Sequence, residues 1–263
     1  MVVRGRDGVD RTGVTAGVGA VGSAVEARDL RKSFPTPGGE PIEILHGISC
    51  AMMPGRMTAL VGPSGSGKST ALLCLAGLEP ATSGHVSLMG RDLGGLPAAR
   101  VAELYRDRVG FVFQAYNLVP YLTVRENITI SDTLAGPRPD SARVREVLAG
   151  LGLESRADAV ATTLSGGEQQ RVALGRVLYR RPPVVFADEP TGALDTRSAA
   201  FVLAELRRLA DDGAAVILVT HDLGAAALAE SVLIMRDGRI VDHRCGATPD
   251  ELLVAVNQTG TAA

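Results

Sequence analysis

The sequence is poor in aromatic residues: tryptophan is absent, and only five phenylalanines and four tyrosines occur in 263 residues. Because 46% of the chain is nevertheless hydrophobic, the core must be built mainly from valine, leucine, isoleucine and alanine. The chain also has no excess of basic charge and no basic cluster. Its 27 Lys and Arg are balanced by 29 Asp and Glu, and no window of the sequence concentrates the basic residues into a basic face. Proteins that bind nucleic-acid phosphates carry such a basic face. We therefore predict no nucleic-acid partner.

Paired cysteines and long hydrophobic runs are also missing. Cys50, Cys74 and Cys245 are far apart and form neither a CxxC motif nor a metal-ligand spacing with histidine. This cysteine usage favours a reducing, cytosolic compartment. No apolar run approaches the roughly 20 residues that a membrane-spanning helix needs, so the sequence predicts no membrane span.

The two ends of the chain differ in composition from its middle. Residues 1–24 contain an uncharged, glycine-rich stretch that is too small and flexible for a convincing signal-peptide core. We predict a disordered N-terminal extension there; a misplaced start site and a weak secretion signal are the alternatives. Residues 25–255 are predicted to form one globular domain, and residues 256–263 a C-terminal tail.

Short apolar runs alternate with helical periodicity from Val25 onward. The runs at residues 57–61, 184–187 and 216–219 have the length and continuity of strands buried on both faces. These features predict an α/β fold around a mostly parallel sheet. An N-terminal antiparallel β subdomain is expected around residues 30–50, a helical subdomain at about residues 96–180, and a hairpin at Asp237-Gly238.

A phosphate-binding loop follows the first of these strands. Residues 62–69 match G-x-x-x-x-G-K-[ST] and precede a helical pattern, which is the context that phosphate binding by this loop requires. Its glycines let successive backbone N–H groups point at phosphates, and the helix N-terminus adds partial positive charge. Lys68 is expected to reach the β- and γ-phosphates, and the Ser69 hydroxyl to ligate Mg²⁺. The residues assigned to this loop are Gly62, Pro63, Ser64, Gly65, Ser66, Gly67, Lys68, Ser69 and Thr70.

An acidic pair, Asp188 and Glu189, follows the strand at residues 184–187. Ligands of open α/β sheets bind at the carboxyl ends of the strands. Alone, such a pair is usually a helix cap or a solvated turn. After a phosphate loop it is typical of a P-loop NTPase, in which Asp188 would hold Mg²⁺ and Glu189 would polarise the attacking water.

A third motif indicates which kind of P-loop NTPase the sequence resembles. Residues 164–171 read LSGGEQQR and lie between the other two motifs. Ser165 with Gly166 and Gly167 at a helix start suits a second anion-binding nest, although in isolation an N-cap before a helix would be the simpler interpretation. The segment resembles the signature sequence of ATP-binding-cassette (ABC) proteins.

Five further positions match the ABC family, and the resemblance covers roughly residues 25–245. Two departures from its pattern are Phe34, where tyrosine is commoner, and Gly175, where alanine is usual; glycine there should cost about 1 kcal/mol of helix stability. The matching positions are Phe34 for the aromatic residue that stacks on adenine, Gln114 for the Q-loop, Glu189 for the catalytic glutamate, Asp195 for the D-loop and His221 for the switch histidine.

The resemblance implies a mechanism with ATP and Mg²⁺. Two copies would form a head-to-tail homodimer, with each ATP between the phosphate loop of one copy and the signature and D-loop of the other. Ser165, Gly166, Gly167, Glu168 and Asp195 would thus act in trans. Ser69, Gln114 and Asp188 would hold Mg²⁺. Lys68, Glu189 and His221 would be catalytic, with His221 orienting the γ-phosphate.

Residues 113–128 and 187–195 look most like the lipoprotein-release and macrolide-export ATPases, with Gly192 as the telling residue; the related cell-division ATPase is an alternative. The resemblance implies an integral-membrane permease on a separate chain and a peripheral location on the cytoplasmic face of the membrane. A permease-like complex that regulates cell-wall or signalling activity is a second possibility. A soluble ABC ATPase acting on ribosomes or DNA is disfavoured, because the chain has neither two cassettes nor a coiled-coil insertion.

Overall fold

Two sheets and a set of helices make up the part of the chain that the computed structural model describes, residues 22–136 and 138–258. The strands are β1 (Val25–Phe34), β2 (Ile42–Met52), β3 (Arg56–Val61), β4 (Ser83–Leu88), β5 (Arg91–Asp92), β6 (Val109–Phe113), β7 (Val184–Asp188), β8 (Ala215–Val219), β9 (Ser231–Arg236) and β10 (Arg239–Cys245). The α-helices are α1 (Lys68–Ala76), α2 (Ala98–Arg108), α3 (Val124–Ala135), α4 (Ser141–Leu151), α5 (Gly166–Arg180), α6 (Thr196–Asp211), α7 (Leu223–Ala226) and α8 (Pro249–Gln258).

The larger sheet has the strand order β10-β9-β3-β8-β7-β6. Its strands are parallel except for β10, which pairs antiparallel with β9 through the predicted turn at Asp237 and Gly238. The smaller sheet, β2-β1-β4-β5, is antiparallel. The predicted fold class, an α/β core with an antiparallel β subdomain, is confirmed.

Successive residues of the central strands pack into two different apolar clusters, one on each face of the larger sheet. Val216 and Leu218 of β8 lie in the cluster that contains buried residues of α5 and α6. Ile217 and Val219 lie in the cluster that contains those of α1 and the antiparallel sheet. Because side chains alternate along a strand, a run that is apolar at every position is buried on both sides, as the sequence predicted.

The region at residues 96–180 is mostly but not wholly helical. It contains α2, α3, α4 and α5, but also β6, which is the edge strand of the larger sheet. Val109 to Phe113 is short and apolar, a pattern that does not separate a strand from a buried helical turn by itself. Helices α3 and α4 of this region pack on α5.

The chain ends also differ in part from the predicted boundaries. Ala24, placed in the extension by sequence, is buried and donates its backbone N–H to the carbonyl of Met52 at 2.8 Å. Residues 256–258, placed in the tail, belong to α8. The rest of the predicted extension and tail lies outside the described residues. Across the described residues, no helix combines the length and apolar character that crossing a membrane requires.

Asn127 organises the loop that leads from β6 into α3. Its side chain is fully buried. The amide donates to the carbonyl oxygens of Val119, Leu122 and Thr123 at 3.1 Å each, and its oxygen accepts from the backbone N–H of Val119 at 2.9 Å. The same oxygen accepts from Arg176 at 2.7 Å. One side chain on α3 thus fixes the loop that follows Gln114.

We expect Asn127→Ala to lower the free energy of unfolding by about 2–4 kcal/mol, because it leaves several buried polar groups without partners. Urea unfolding followed by circular dichroism measures this loss. Asn257→Ala, which makes the same change at an exposed position of α8, is the matched control and should lie within about 0.5 kcal/mol of the parent. Equal effects of the two substitutions would contradict this role of Asn127.

Candidate nucleotide site

The register of the parallel strands brings the sequence-predicted residues to one edge of the larger sheet. Leu60 of β3 is level with Val219 of β8, Val219 with Asp188 of β7, and Asp188 with Phe113 of β6. The residues that follow these four strands are therefore the phosphate loop, His221, Glu189 and Gln114. They lie in one row at the carboxyl ends of the strands, where α/β proteins bind ligands.

The phosphate loop wraps between β3 and α1 with three glycines in the left-handed region, at φ of 152° for Gly62, 79° for Gly65 and 91° for Gly67. At Gly62 a Cβ atom would come within 2.0 Å of the carbonyl oxygen of Met235, so no other residue fits without moving β9. The Lys68 ammonium donates to the carbonyl oxygens of Gly62 and Pro63, each at 2.9 Å. Burial lowers the pKa of Lys68, an effect that Glu189 and Asp188 oppose.

Ser69 and Asp188 form the part of the site that suits Mg²⁺. The Ser69 hydroxyl donates to Oδ1 of Asp188 at 3.1 Å. Burial raises the pKa of Asp188, and the neighbouring Glu189 raises it further. In the described part of the chain, no three acidic, histidine or cysteine side chains group as a metal site. This donor set fits Mg²⁺, which usually takes one or two protein oxygens and completes its shell with water and phosphate oxygens.

Glu189 and His221 are in direct contact. The Nδ1 atom of His221 lies 3.0 Å from Oε1 of Glu189, and 2.9 Å from its Oε2. Glu189 adopts φ of 46° and its backbone N–H donates to the carbonyl of Val219. A left-handed conformation at a non-glycine residue is strained and typical of functional sites. His221 remains largely exposed while Glu189 is mostly covered.

A cleft of about 480 Å³ joins the phosphate loop to Phe34. Phe34, at the end of β1, is 38% exposed, so one part of its ring is open. The cleft is lined by Phe34, Ile44, Ser64, Gly65, Gly67, Lys68, Ser69, Thr70 and Glu189. The structure thus brings the predicted adenine-stacking residue, phosphate loop and catalytic glutamate to one cavity, with Asp188 in contact with Ser69.

The signature residues do not line this cleft. Ser165 is the N-cap of α5, and its hydroxyl and backbone N–H both bond to Glu168, which is the capping box of a helix start. Asp195 caps α6 as an acceptor: its carboxylate accepts hydrogen bonds from the backbone N–H groups of Arg197 and Ser198 at 3.0 Å each and from the Ser198 hydroxyl at 2.7 Å. The two motifs are adjacent, since a Cβ atom on Gly167 would lie 3.1 Å from the Ser198 Oγ atom.

Gln114 bonds to the acidic strand through its backbone. Its N–H donates to the carbonyl of Asp188 at 3.0 Å. Its side-chain amide packs against Gly192, where a Cβ atom would come within 3.0 Å of the Gln114 Nε2 atom. The small residue at position 192 therefore leaves room for the glutamine side chain beside the loop after Glu189.

Two residues, Tyr116 and Arg176, connect the loop after Gln114 to the helix of the signature motif. Neither was predicted as a site residue from the sequence. The Tyr116 hydroxyl lies 2.9 Å from the position that a Cβ atom on Gly166 would occupy. Arg176 on α5 donates to the carbonyl of Asn117 at 2.7 Å and to Asn127. The only sequence signal for either contact is the position of Tyr116 two residues after Gln114.

Comparisons with known proteins identify the relatives of this chain. The family model described as "ABC transporter" matches residues 45–192. The chain is 46% identical over 219 residues to the macrolide export ATP-binding/permease protein MacB of Shigella flexneri, a match that covers 82% of this chain and 34% of that protein. MacB of Escherichia coli (strain K12) is 45% identical with the same coverage.

Two solved structures share the fold. A dimeric structure of a post-hydrolysis state of the ATP-binding cassette MJ0796, bound to ADP and Pi, has a TM-score of 0.79 and 33% sequence identity and covers 85% of this chain and 99% of that one. A further dimeric structure of MJ0796, a bacterial ABC transporter cassette, has a TM-score of 0.78, 33% identity and the same coverage.

The chain belongs to the ABC transporter family and has the fold of an ATP-binding cassette. It spans about a third of the length of the curated relatives that it matches, 34% for the MacB proteins.

We expect Lys68→Ala to abolish the rise in melting temperature that Mg-ATP gives the parent chain, because it removes the ammonium group that is expected to bind the phosphates. Ligand at about 100 times its Kd should stabilise the parent by about 2.7 kcal/mol, and differential scanning fluorimetry measures the shift. Arg145→Ala, at an exposed position of α4, is the control and should keep the full shift. Equal shifts for Lys68→Ala and the parent would exclude Lys68 from nucleotide binding.

Proposed function

We propose that this chain is the ATP-hydrolysing subunit of a transporter of the export or lipoprotein/macrolide-release type, and that it drives a membrane permease on a separate chain. The observation that carries the proposal is the row of strand ends. The phosphate loop and Glu189 line one cleft, Asp188 contacts Ser69, and His221 contacts Glu189. The similarity to proteins named as macrolide export ATP-binding/permease proteins supports the export type. This chain would be located at the cytoplasmic face of the membrane.

In the proposed reaction, backbone N–H groups of the phosphate loop and the Lys68 ammonium bind the phosphates. The Lys68 ammonium would donate to phosphate oxygens in place of the carbonyl oxygens of Gly62 and Pro63. It is a hydrogen-bond donor in both cases, so binding needs no proton transfer at Lys68. Ser69, Asp188 and Gln114 would hold Mg²⁺, which neutralises phosphate charge when bound. Glu189 accepts a proton from the attacking water, and His221, in contact with Glu189, orients the γ-phosphate and the carboxylate.

The signature motif would act on the nucleotide of a second copy. Ser165, Gly166 and Gly167 lie at the exposed start of α5, away from the cleft of their own chain, and Asp195 lies beside them at the start of α6. Helix N-termini with free N–H groups bind anions. A head-to-tail dimer would bring this surface over the phosphates, and the related cassettes are described as dimeric.

A groove next to Gln114 is the proposed binding surface for the permease. It has a volume of about 700 Å³ and lies between β6, α2, α3 and α5. Its apolar lining includes Phe111, Phe113, Tyr116, Ile130, Leu134 and Val177, and its basic lining Arg106, Arg176 and Arg180. A short amphipathic helix with acidic residues at its ends would complement it. Leu134 is 82% exposed there, as expected of a contact residue.

We expect Glu189→Gln to reduce ATP hydrolysis by about 10²- to 10⁴-fold, which is what a positioned general base contributes, while ATP binding is kept. The variant should therefore accumulate as a closed dimer in Mg-ATP. A phosphate-release assay and light scattering after size exclusion measure the two effects. Glu154→Gln, at an exposed position that does not line the nucleotide cleft, should behave like the parent. Unchanged turnover in Glu189→Gln would exclude Glu189 as the base.

We also expect Leu134→Glu to abolish copurification of the chain with a co-expressed permease in detergent, because it places a charge in the apolar groove. Leu253→Glu, the same change at an exposed position of α8, should retain the permease. ATP affinity of the isolated chain should stay within about twofold in both variants, since neither residue lines the nucleotide cleft. Equal retention of the permease by the two variants would show that the groove is not its binding surface.

A further inference from the structure

Lysine is rare in this chain: of 27 Lys and Arg residues, only those at positions 32 and 68 are lysine. Both are buried, with 7% of Lys32 and 9% of Lys68 exposed. Lys68 belongs to the phosphate loop. Lys32 has no place in the motifs of the sequence, yet it lies on β1 two residues before Phe34.

The Lys32 ammonium contacts the Phe34 ring. Its Nζ atom lies 4.6 Å from the ring centroid, well within the roughly 6 Å range of a cation–π interaction. Lys32 does not line the nucleotide cleft, whereas Phe34 does. The ammonium therefore supports the ring from the protein side, and the exposed part of the ring is left for a ligand.

The ammonium is itself held by two oxygen acceptors. It donates to Oε1 of Glu79 at 2.5 Å and to the carbonyl oxygen of Pro80 at 2.9 Å. Both acceptors follow α1, the helix that starts in the phosphate loop. A buried charge is tolerated when it is paired and hydrogen-bonded in this way. A compact ammonium suits this place better than the planar guanidinium that the chain uses at nearly all its other basic positions.

We propose that Lys32 is a positioning residue for the nucleotide base: with Glu79 it fixes the Phe34 ring in the orientation on which a purine stacks. This inference rests on the proposed function, because it takes the cleft to be the nucleotide site. A ring that is already fixed does not lose side-chain freedom when the ligand binds, so the binding free energy is more favourable. Lys32 should thus contribute about three- to tenfold to the affinity for a purine nucleotide and nothing to that for phosphate alone.

The scarcity of lysine allows a direct spectroscopic test. In protein labelled with ¹³C-lysine, the Cε–Hε signals come from Lys32 and Lys68 only, and the Lys32 signal should be shifted upfield by the Phe34 ring and lose this shift in Phe34→Leu. Mg-ADP should move both signals, whereas inorganic pyrophosphate should move that of Lys68 alone. A Lys32 signal that responds equally to both ligands, or to neither while Lys68 responds, would overturn the proposal. If neither ligand moves the Lys68 signal, the nucleotide site itself is wrong.

Affinity measurements test whether Lys32 acts through Phe34. By calorimetry, Lys32→Met should raise the Kd for Mg-ADP about three- to tenfold and leave the Kd for pyrophosphate unchanged. In the Phe34→Leu background the same substitution should have no further effect. An equal loss in both backgrounds, or an equal loss for both ligands, would indicate a merely structural role and overturn the proposal.

The combined variant Lys32→Met with Glu79→Gln controls for a loss of stability in Lys32→Met. It removes the carboxylate that Lys32→Met leaves without its ion-pair partner. Its loss of ADP affinity should match that of Lys32→Met, and its melting temperature should be closer to that of the parent. Parent-like ADP affinity in this variant would likewise refute a positioning role for Lys32.

Discussion

The parallel register of β3, β8, β7 and β6 is the constraint on which the rest of the site depends. Because Leu60, Val219, Asp188 and Phe113 are level with one another, the four segments that leave these strands start side by side. The motifs lie far apart in the sequence, and only strand pairing brings them together. The strands themselves are held by burial on both faces, since their side chains alternate between two apolar clusters. A slip of one residue would turn each side chain to the opposite face of the sheet.

The polar groups assigned to the nucleotide are already hydrogen-bonded within the chain. Lys68 bonds to two carbonyls, Ser69 to Asp188, Ser165 to Glu168, and Asp195 to Ser198. Binding would thus exchange one set of hydrogen bonds for another, and the net gain comes from charge and from the preorganised backbone N–H groups. An N-cap and a nucleotide contact are not competing interpretations of Ser165, since the same exposed helix start can serve both.

Much of this arrangement could be predicted from the sequence, and the limits have physical reasons. The phosphate loop, the acidic pair and the buried strands have local patterns, so their elements were identified. Strand β6 was included in a helical region because five apolar residues have no distinguishing period. Gly175 was interpreted as a loss of helix stability, but a Cβ atom there would lie 2.9 Å from Leu151 and 3.0 Å from Ile128. The glycine therefore allows α5 to approach α3 and α4 closely. The contact of Lys32 with Phe34 and Glu79 depends on how β1 packs beside α1, which no local pattern reveals.

The groove and the signature motif are joined by residues that belong to both. Tyr116 lines the groove and its hydroxyl lies against Gly166. Arg176 also lines the groove, while its guanidinium bonds the loop after Gln114 to α3 through Asn117 and Asn127. Arg176 is on α5, the helix that starts with the signature, so its side chain connects this loop directly to that helix. A partner bound in the groove would thus contact Tyr116, which lies beside Gly166, and Arg176, which lies on the signature helix. These contacts would offer a direct physical route between such a partner and the signature motif.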